Sequence, residues 1–281
     1  MKRVVPLVLV CLLLSACGRR SDSPDAKKEG AAPEAGSPLP DIGQMVGRVV
    51  TQDGCRDFTA EMRMITEDAT GKREQIEFKI QRKYEAKQAM TFLAVLAPRE
   101  ESDKAILAIE KDGQATEAFS YLAGLKRLAK MSSERQLGFR GAKVTVQELL
   151  GMELGQYSHS AGERVADGSN HLIKVEFKAK ADRRLAFPRI VGYFNEAGGA
   201  PARFELYDAR DELQKRVAVQ EVKTVQKRQT ITRLAIDDLL QKLKLQLEMR
   251  RIEYDRGISD AIFTENYLKS FITSAGKRLI K

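Results

Sequence analysis

The side chains best suited to chemistry, histidine and cysteine, are few in this 281-residue chain. There are two histidines, His159 and His171, and three cysteines. Their spacing with respect to the carboxylates is not that of a metal site. The sequence also contains neither a Gly-x-Ser-x-Gly nucleophile elbow nor a phosphate-binding Walker loop. We therefore predict that the protein is not an enzyme and that it uses no metal and no cofactor.

Cys17 is the cysteine with a defined chemistry. It follows Leu14-Ser15-Ala16, an apolar run over residues 4–14 and the basic pair Lys2-Arg3. Basic, then apolar, then small residues form the layout of a cleaved export signal. The run is also shorter than the roughly 20 residues of a membrane span. The stretch resembles the lipobox of bacterial lipoproteins, so we predict that residues 1–16 are removed and Cys17 is lipidated. The alternatives are a cleaved signal without a lipid and a buried helix.

The other two cysteines then form no intramolecular disulfide. Cys11 leaves with the signal, and Cys55 remains without a partner cysteine. A single thiol in an exported protein can be reactive. We favour the other interpretation, a small and partly buried residue.

A tether and a basic surface point to a membrane. Residues 18–40 contain almost no large apolar side chains, so they cannot bury enough surface to fold. A coil of this length reaches about 25–30 Å. Gly18, in place of an aspartate after the cysteine, favours by resemblance the periplasmic face of the outer membrane, with the inner membrane as the alternative. The net charge of +9 suggests contact with anionic lipid head groups, although a merely solvated basic surface is the commoner explanation of such a charge. No nucleic-acid motif occurs, so we predict no nucleic-acid partner.

The folded domain is predicted over residues 41–281, mainly as antiparallel strands. Ile42, Met45, Val46, Val49 and Val50 have the spacing of one amphipathic helix. Alternation of apolar and polar residues then predicts strands that are covered on one face. More uniformly apolar stretches predict more deeply buried strands. The predicted strands cover residues 58–65, 75–81, 89–97, 105–109, 171–178, 187–194, 202–207, 214–223 and 239–254, the last of these with helix as the alternative.

Two short helices are predicted within and after these strands. Thr145 and Glu148 have the spacing of a capping box that opens a helix over residues 145–150. A last helix follows residues 263–265. Its inward-facing side chains are predicted to be Tyr267, Leu268, Phe271 and Ile272.

Four segments in order resemble the outer-membrane lipoprotein-sorting family, whose fold is the LolA/LolB-like one. They are residues 119–131 (FSYLAGLKRLAKM), 139–149 (FRGAKVTVQEL), 204–208 (FELYD) and 254–264 (YDRGISDAIFT). The chain departs from the family pattern at Ala123, where proline is usual. It departs again at residues 142–144, where the family has Thr-Asp-Phe.

The resemblance implies an α+β fold, mainly antiparallel β: a strongly curved, incomplete β-barrel lidded by short helices. It also implies an apolar cavity for acyl chains, and an open apolar concavity is a common site for such ligands. For each candidate cavity residue, plain core packing is the alternative. The candidates are Phe58, Met62, Met64, Ile76, Phe78, Ile80, Phe92 and Leu96.

The expected function is that of a membrane-anchored envelope lipoprotein that binds acyl chains or lipidated cargo during sorting to the outer membrane. Its expected partners are the membrane, through Cys17, the acyl chains of a lipid or lipoprotein, and an envelope transport complex. We expect a monomer. One alternative is a periplasmic sensing module that contacts an envelope complex without transporting lipid. Another is an envelope hydrolase built on scattered carboxylates.

Overall fold

The computed structural model describes residues 39, 41–43, 55–111, 114, 116–122, 125, 127–132, 135–140, 142–150, 156–168, 170–181 and 185–279. The predicted signal, Cys17, the tether except for Leu39, and most of the first helix lie outside this range. The described strands are β1 (Asp57–Glu67), β2 (Arg73–Glu85), β3 (Gln88–Ala97), β4 (Ala105–Lys111), β5 (Glu117–Leu122), β6 (Arg127–Met131), β7 (Gln136–Phe139), β8 (Ala142–Thr145), β9 (Tyr157–His159), β10 (Glu163–Asp167), β11 (Asn170–Ala179), β12 (Arg189–Asn195), β13 (Pro201–Tyr207), β14 (Leu213–Val225), β15 (Arg228–Asp238) and β16 (Leu243–Tyr254).

The described helices are short or lie at the end of the chain. α1 covers Val146–Leu150 and α2 covers Glu265–Leu279. Two 3-10 turns, Arg99–Glu101 and Asp260–Phe263, connect β3 to β4 and precede α2. In the part of the chain that the structure describes, no helix combines the length and the apolar character needed to cross a membrane.

One antiparallel sheet of fourteen strands dominates the fold. Its order is β10-β11-β12-β13-β14-β15-β16-β1-β2-β3-β4-β5-β6, with β9 also paired to β11. The chain therefore starts in the middle of the sheet and runs outward to β6. It then crosses to the other edge and returns strand by strand until β16 pairs with β1. Among the described residues the edge strands β6 and β10 do not pair with each other, so the curved sheet is an incomplete barrel.

The alternation in β1 explains how the inner face forms. Met62 lies opposite Phe78 on β2 and Met249 on β16, and Met64 lies opposite Ile76 and Leu247. Side chains at every second position share a face, so these pairs build one apolar surface. The other face of the same strands is charged, with ion pairs such as Arg63–Glu248.

A second apolar cluster lies on the outer face and is covered by α2. Leu268 and Ile272 of α2 are buried there against Met90, Leu107 and Tyr121. Strands β3 and β4 are consequently apolar on both faces. This double burial explains their uniformly apolar sequences.

Most of the predicted elements are confirmed, including the α+β incomplete barrel itself. Residues 243–254 form a strand rather than a helix, and the capping-box helix and the final helix are both present. The predicted strand over residues 187–194 begins at Arg189. β5, β6, β15 and the β7–β8 hairpin were not predicted, and neither were the short strands β9 and β10.

Candidate functional site

Six of the eight predicted cavity residues share the inner face of β1 and β2. Each is at most 1% exposed, because the protein's own side chains cover it. The Phe139 ring, for example, packs edge-on against Phe78 with the ring centroids 5.2 Å apart. These six residues therefore form the core beneath the candidate site. They are Phe58, Met62, Met64, Ile76, Phe78 and Ile80.

Phe92 and Leu96 do not lie on this face, and their prediction as cavity residues needs correction. Strand pairing places Leu93 opposite Ile80 and Val95 opposite Phe78, so the inward-facing positions of β3 are the odd-numbered ones. Phe92 points outward and packs against α2, whereas Leu96 is 39% exposed. The sequence of β3 could not show this, because a strand buried on both faces has no period-two pattern.

A small substructure covers the inner face at one end of the sheet. We call the β7–β8 hairpin together with α1 (residues 136–150) the cap. The Thr66 hydroxyl at the end of β1 donates to the carbonyl oxygen of Arg140 at 3.0 Å. Gln241, between β15 and β16, forms two hydrogen bonds of 3.2 Å with the backbone of Lys143. Neighbouring strands in the middle of the sheet, β1 and the β15–β16 pair, therefore hold the cap in place.

The capping box that opens α1 forms as the sequence predicts. Glu148 Oε2 accepts hydrogen bonds from the backbone N–H of Thr145 at 2.6 Å and from its hydroxyl at 2.7 Å. In return, the Thr145 hydroxyl oxygen accepts a hydrogen bond from the backbone N–H of Glu148 at 3.2 Å. A helix of five residues has little stability of its own, so the box and the burial of Val146 and Leu149 must stabilise it.

A buried ionic triad joins α1 to the sheet. Lys215 Nζ on β14 lies 3.2 Å from Glu148 Oε1 and 3.0 Å from Asp238 Oδ2 on β15. All three side chains are at most 2% exposed. Burial lowers the pKa of Lys215 to about 7, while the neighbouring Asp238 acts in the opposite direction.

The sequence analysis did not identify this triad, although the alternation along β14 and β15 places Lys215 and Asp238 at inward-facing positions. Lys215 is in phase with the buried Val217, and Asp238 is in phase with the buried Ile236. A charged residue at an inward-facing position of a strand requires a buried partner. That requirement could have marked both residues.

An apolar groove lies between the cap and the inner face of β3–β5. Its volume is about 240 Å³ and it is open to solvent on one side. Leu93, Val95 and Ile106 form its buried floor. The remaining lining is Lys104, Ala105, Ser120, Gln136, Leu137, Gly138 and Phe139. None of the eight predicted cavity residues is among these.

The polar side chains of the groove lie at its rim. Lys104 is half exposed, and its Nζ lies 5.8 Å from the centroid of the Phe139 ring. The same amine forms an ion pair of 3.0 Å with Glu101 Oε2. Glu101 has a second ion pair, since its Oε1 lies 3.1 Å from Arg140 Nε. The groove thus combines an apolar floor with one cation at its entrance.

Cys55 lies outside this groove and is a buried structural residue. Its Sγ donates a hydrogen bond to the carbonyl oxygen of Asp57 at 3.0 Å. Burial, assisted by the nearby Asp255 carboxylate, raises the pKa of the thiol to about 12. Among the described residues, no group of three or more His, Cys, Asp or Glu side chains could hold a metal ion.

One family model matches most of the described sheet. Its description is "Uncharacterized protein", and it matches residues 87–270, from β3 into α2. A sequence comparison with curated proteins gives no match.

Three solved structures share the fold. A DUF1329 family protein from Desulfovibrio piger has a TM-score of 0.69 at 18% identity, over 77% of this chain and 92% of its own. A Vibrio parahaemolyticus domain classed as an outer membrane lipoprotein-sorting protein has a TM-score of 0.68 at 19% identity, over 77% and 93%. A LolA superfamily protein from Nitrosomonas europaea has a TM-score of 0.64 at 15% identity, over 76% and 92%. At these identities the similarity establishes a common architecture, the antiparallel incomplete barrel.

Proposed function

We propose a function for this chain, which belongs to the protein family whose model matches residues 87–270. The protein binds acyl chains, of a lipid or of a lipidated protein, in the groove between the cap and β3–β5. Its role is binding rather than catalysis. It acts in the bacterial envelope, anchored by a lipid on Cys17.

The groove is the observation that carries this proposal. Its floor is apolar, and yet it stays accessible from solvent beside a core of buried side chains. Burying a methylene group of a ligand there contributes about 0.8 kcal/mol. A floor of aliphatic side chains provides no directional hydrogen bonds, so it suits a flexible hydrocarbon chain better than a polar metabolite.

The structural neighbours support the same ligand class and compartment. The Vibrio domain is classed with lipoprotein-sorting proteins of the outer membrane, and the Nitrosomonas protein belongs to the LolA superfamily. Both share the incomplete barrel in which the groove lies. A tethered protein of this fold would meet its ligand at a membrane surface, which is consistent with the predicted lipid on Cys17.

Blocking the groove tests the proposal. Ser120 lies at the rim, and its replacement by phenylalanine directs a ring into the free volume. A cavity of about 150 Å³ holds a benzene molecule, so the ring fills more than half of this groove. We expect Ser120→Phe to weaken the binding of a fluorophore-labelled fatty acid to the full-length protein at least tenfold. Fluorescence titration measures the affinity.

Ala218→Phe is the matched control, because Ala218 is exposed on β14 and remote from the groove lining. This variant should bind the probe as the wild type does, and both variants should unfold at similar temperatures. Native mass spectrometry of the wild type, purified without added lipid, should show a bound lipid. Absence of both bound lipid and probe binding in the folded wild type would refute the proposal, as would undiminished probe binding by Ser120→Phe.

A further inference from the structure

We infer that the groove selects a single-chain amphiphile with an acidic headgroup, and that Lys104 pairs with this headgroup. The inference rests on the proposed function and narrows it to a ligand class. A carboxylate or a phosphate monoester would satisfy the same chemistry. Free fatty acids carry the first group, and single-chain phosphate lipids carry the second.

The volume of the groove limits the number of chains. A cavity of about 150 Å³ accommodates the six carbons of benzene, so by simple proportion about 240 Å³ accommodates roughly ten carbons. Sites for drug-sized ligands usually measure about 300–1,000 Å³. The groove therefore takes one chain of medium length, or the end of one longer chain. Two chains side by side do not fit.

The distribution of polar groups orients that chain. Leu93, Val95 and Ile106 are buried on the floor, while Lys104, Ser120 and Gln136 are half-buried or exposed. A hydrocarbon tail lies against the floor, where it loses no hydrogen bonds. The headgroup must then lie at the rim, because a charged group buried on an apolar floor would lose its hydration without compensation.

Lys104 is suited to receive an anion at this rim. Its side chain is 48% exposed, so its amine needs little desolvation to form a new pair. It can leave Glu101 without leaving that carboxylate unpaired, because Arg140 pairs with the other oxygen of Glu101. The Phe139 ring beneath the amine adds a cation–π contact that keeps it above the groove.

A titration with three ligands of equal chain length tests the inference. Isothermal titration calorimetry of the full-length protein would compare decanoate, decyl phosphate and the neutral decyl maltoside, each below its micellar concentration. We expect the wild type to bind at least one acidic ligand about tenfold more tightly than the neutral one, the size of one charge-assisted hydrogen bond. The preferred acid then identifies the source, fatty acid or phosphate lipid.

Lys104→Gln removes the cation and should abolish this preference, because it weakens the binding of the acidic ligands about tenfold more than that of decyl maltoside. Lys72→Gln is the control, because Lys72 is an exposed lysine, also paired with a glutamate at 3.0 Å, that does not line the groove. It should keep the preference for acids. Equal affinity of the wild type for acidic and neutral ligands overturns the inference but leaves the proposed function intact. An equal loss of all three ligands in Lys104→Gln does the same. Failure of all three to bind the wild type overturns both.

Discussion

Cys55 illustrates how the surroundings of one residue set its chemistry. The thiol is buried beside Asp57 and Asp255, so its ionised form is disfavoured both by desolvation and by two carboxylates. Only the thiolate is a strong nucleophile. The buried thiol is therefore inert, and the structural interpretation of this cysteine is preferred over the reactive one.

We predict that Cys55 resists alkylation in the native protein. Its pKa rises from the ordinary 9.0 to about 12, so at pH 8 its thiolate fraction is about a thousandfold lower than in the unfolded chain. Mass spectrometry after iodoacetamide treatment should show modification of Cys55 only when denaturant is present. Comparable modification rates in native and unfolded protein would contradict this.

The same shift has a defined effect on stability. The folded state retains the Cys55 proton to higher pH than the unfolded state. Its contribution to the free energy of unfolding is therefore fully present below pH 9 and is lost as the pH rises toward 12. Cys55→Ala should reduce the decline in stability over this range.

At the scale of elements, two interactions hold the cap: a capping box between residues close in sequence, and an ionic triad between residues far apart in sequence. The capping box links Thr145 and Glu148 within one turn, so the sequence pattern alone reveals it. The triad joins α1 to Lys215 and Asp238, which lie far away in sequence on neighbouring strands. The same carboxylate serves both, with one oxygen in each. Glu148 therefore fixes the start of the helix and its position against the sheet together.

We predict that Lys215→Met lowers the free energy of unfolding by about 3–5 kcal/mol, because it leaves two buried carboxylates without a counter-ion. Adding Glu148→Gln and Asp238→Asn should restore most of the loss, since glutamine is compatible with a capping box. Urea denaturation measures all variants. Lys223→Met is the control: Lys223 forms an exposed ion pair on the same strand, and its loss should change stability by about 0.5 kcal/mol or less. Equal effects of the two methionine variants would show that the triad does not stabilise the fold.

At the scale of the whole molecule, the sheet stays open between its edge strands, and an apolar groove lies between the cap and β3–β5. Much of the inner face is covered by the protein's own side chains, and the groove opens to solvent where the cap meets β3–β5. The outer face of β3 and β4 in that region is covered by α2. The groove floor therefore belongs to strands that are buried on both faces, while its entrance is open.

We predict that the molecule acts from a membrane, and Cys17 tests this. Cys17→Ala should move the protein from the membrane fraction to the soluble fraction and leave its unfolding temperature unchanged. Its predicted lipidation site lies outside the folded domain. Cys11→Ala, within the predicted signal, is the control and should remain in the membrane fraction. Immunoblotting of the fractions measures both, and membrane retention of Cys17→Ala would contradict lipid anchoring.

Much of the fold could be predicted because its causes are local. β1 from Phe58 onward and β16 up to Arg250 alternate, since only one of their faces is buried, and Met62 and Met249 fall on that face as expected. β15 escaped prediction because Thr230 and Thr232 are buried polar residues, which weaken the apolar signal. β7 and β8 have only four residues each, too few to show a period.

The sequence by itself determined most of the antiparallel strands, the capping box and the final helix, because each depends on neighbours within a few residues, and the lipid anchor at Cys17 stays a prediction from such a local pattern. Only the tertiary structure decided where the groove lies. Strand β3 is buried on both faces, so its sequence does not show which side chains point inward. Pairing with β2 decides this, and it places Leu93 and Val95, rather than Phe92, on the inner face. The wall of the groove and the triad arise where the cap folds back on strands distant in sequence. Such contacts depend on the path of the whole chain, and no local pattern encodes them.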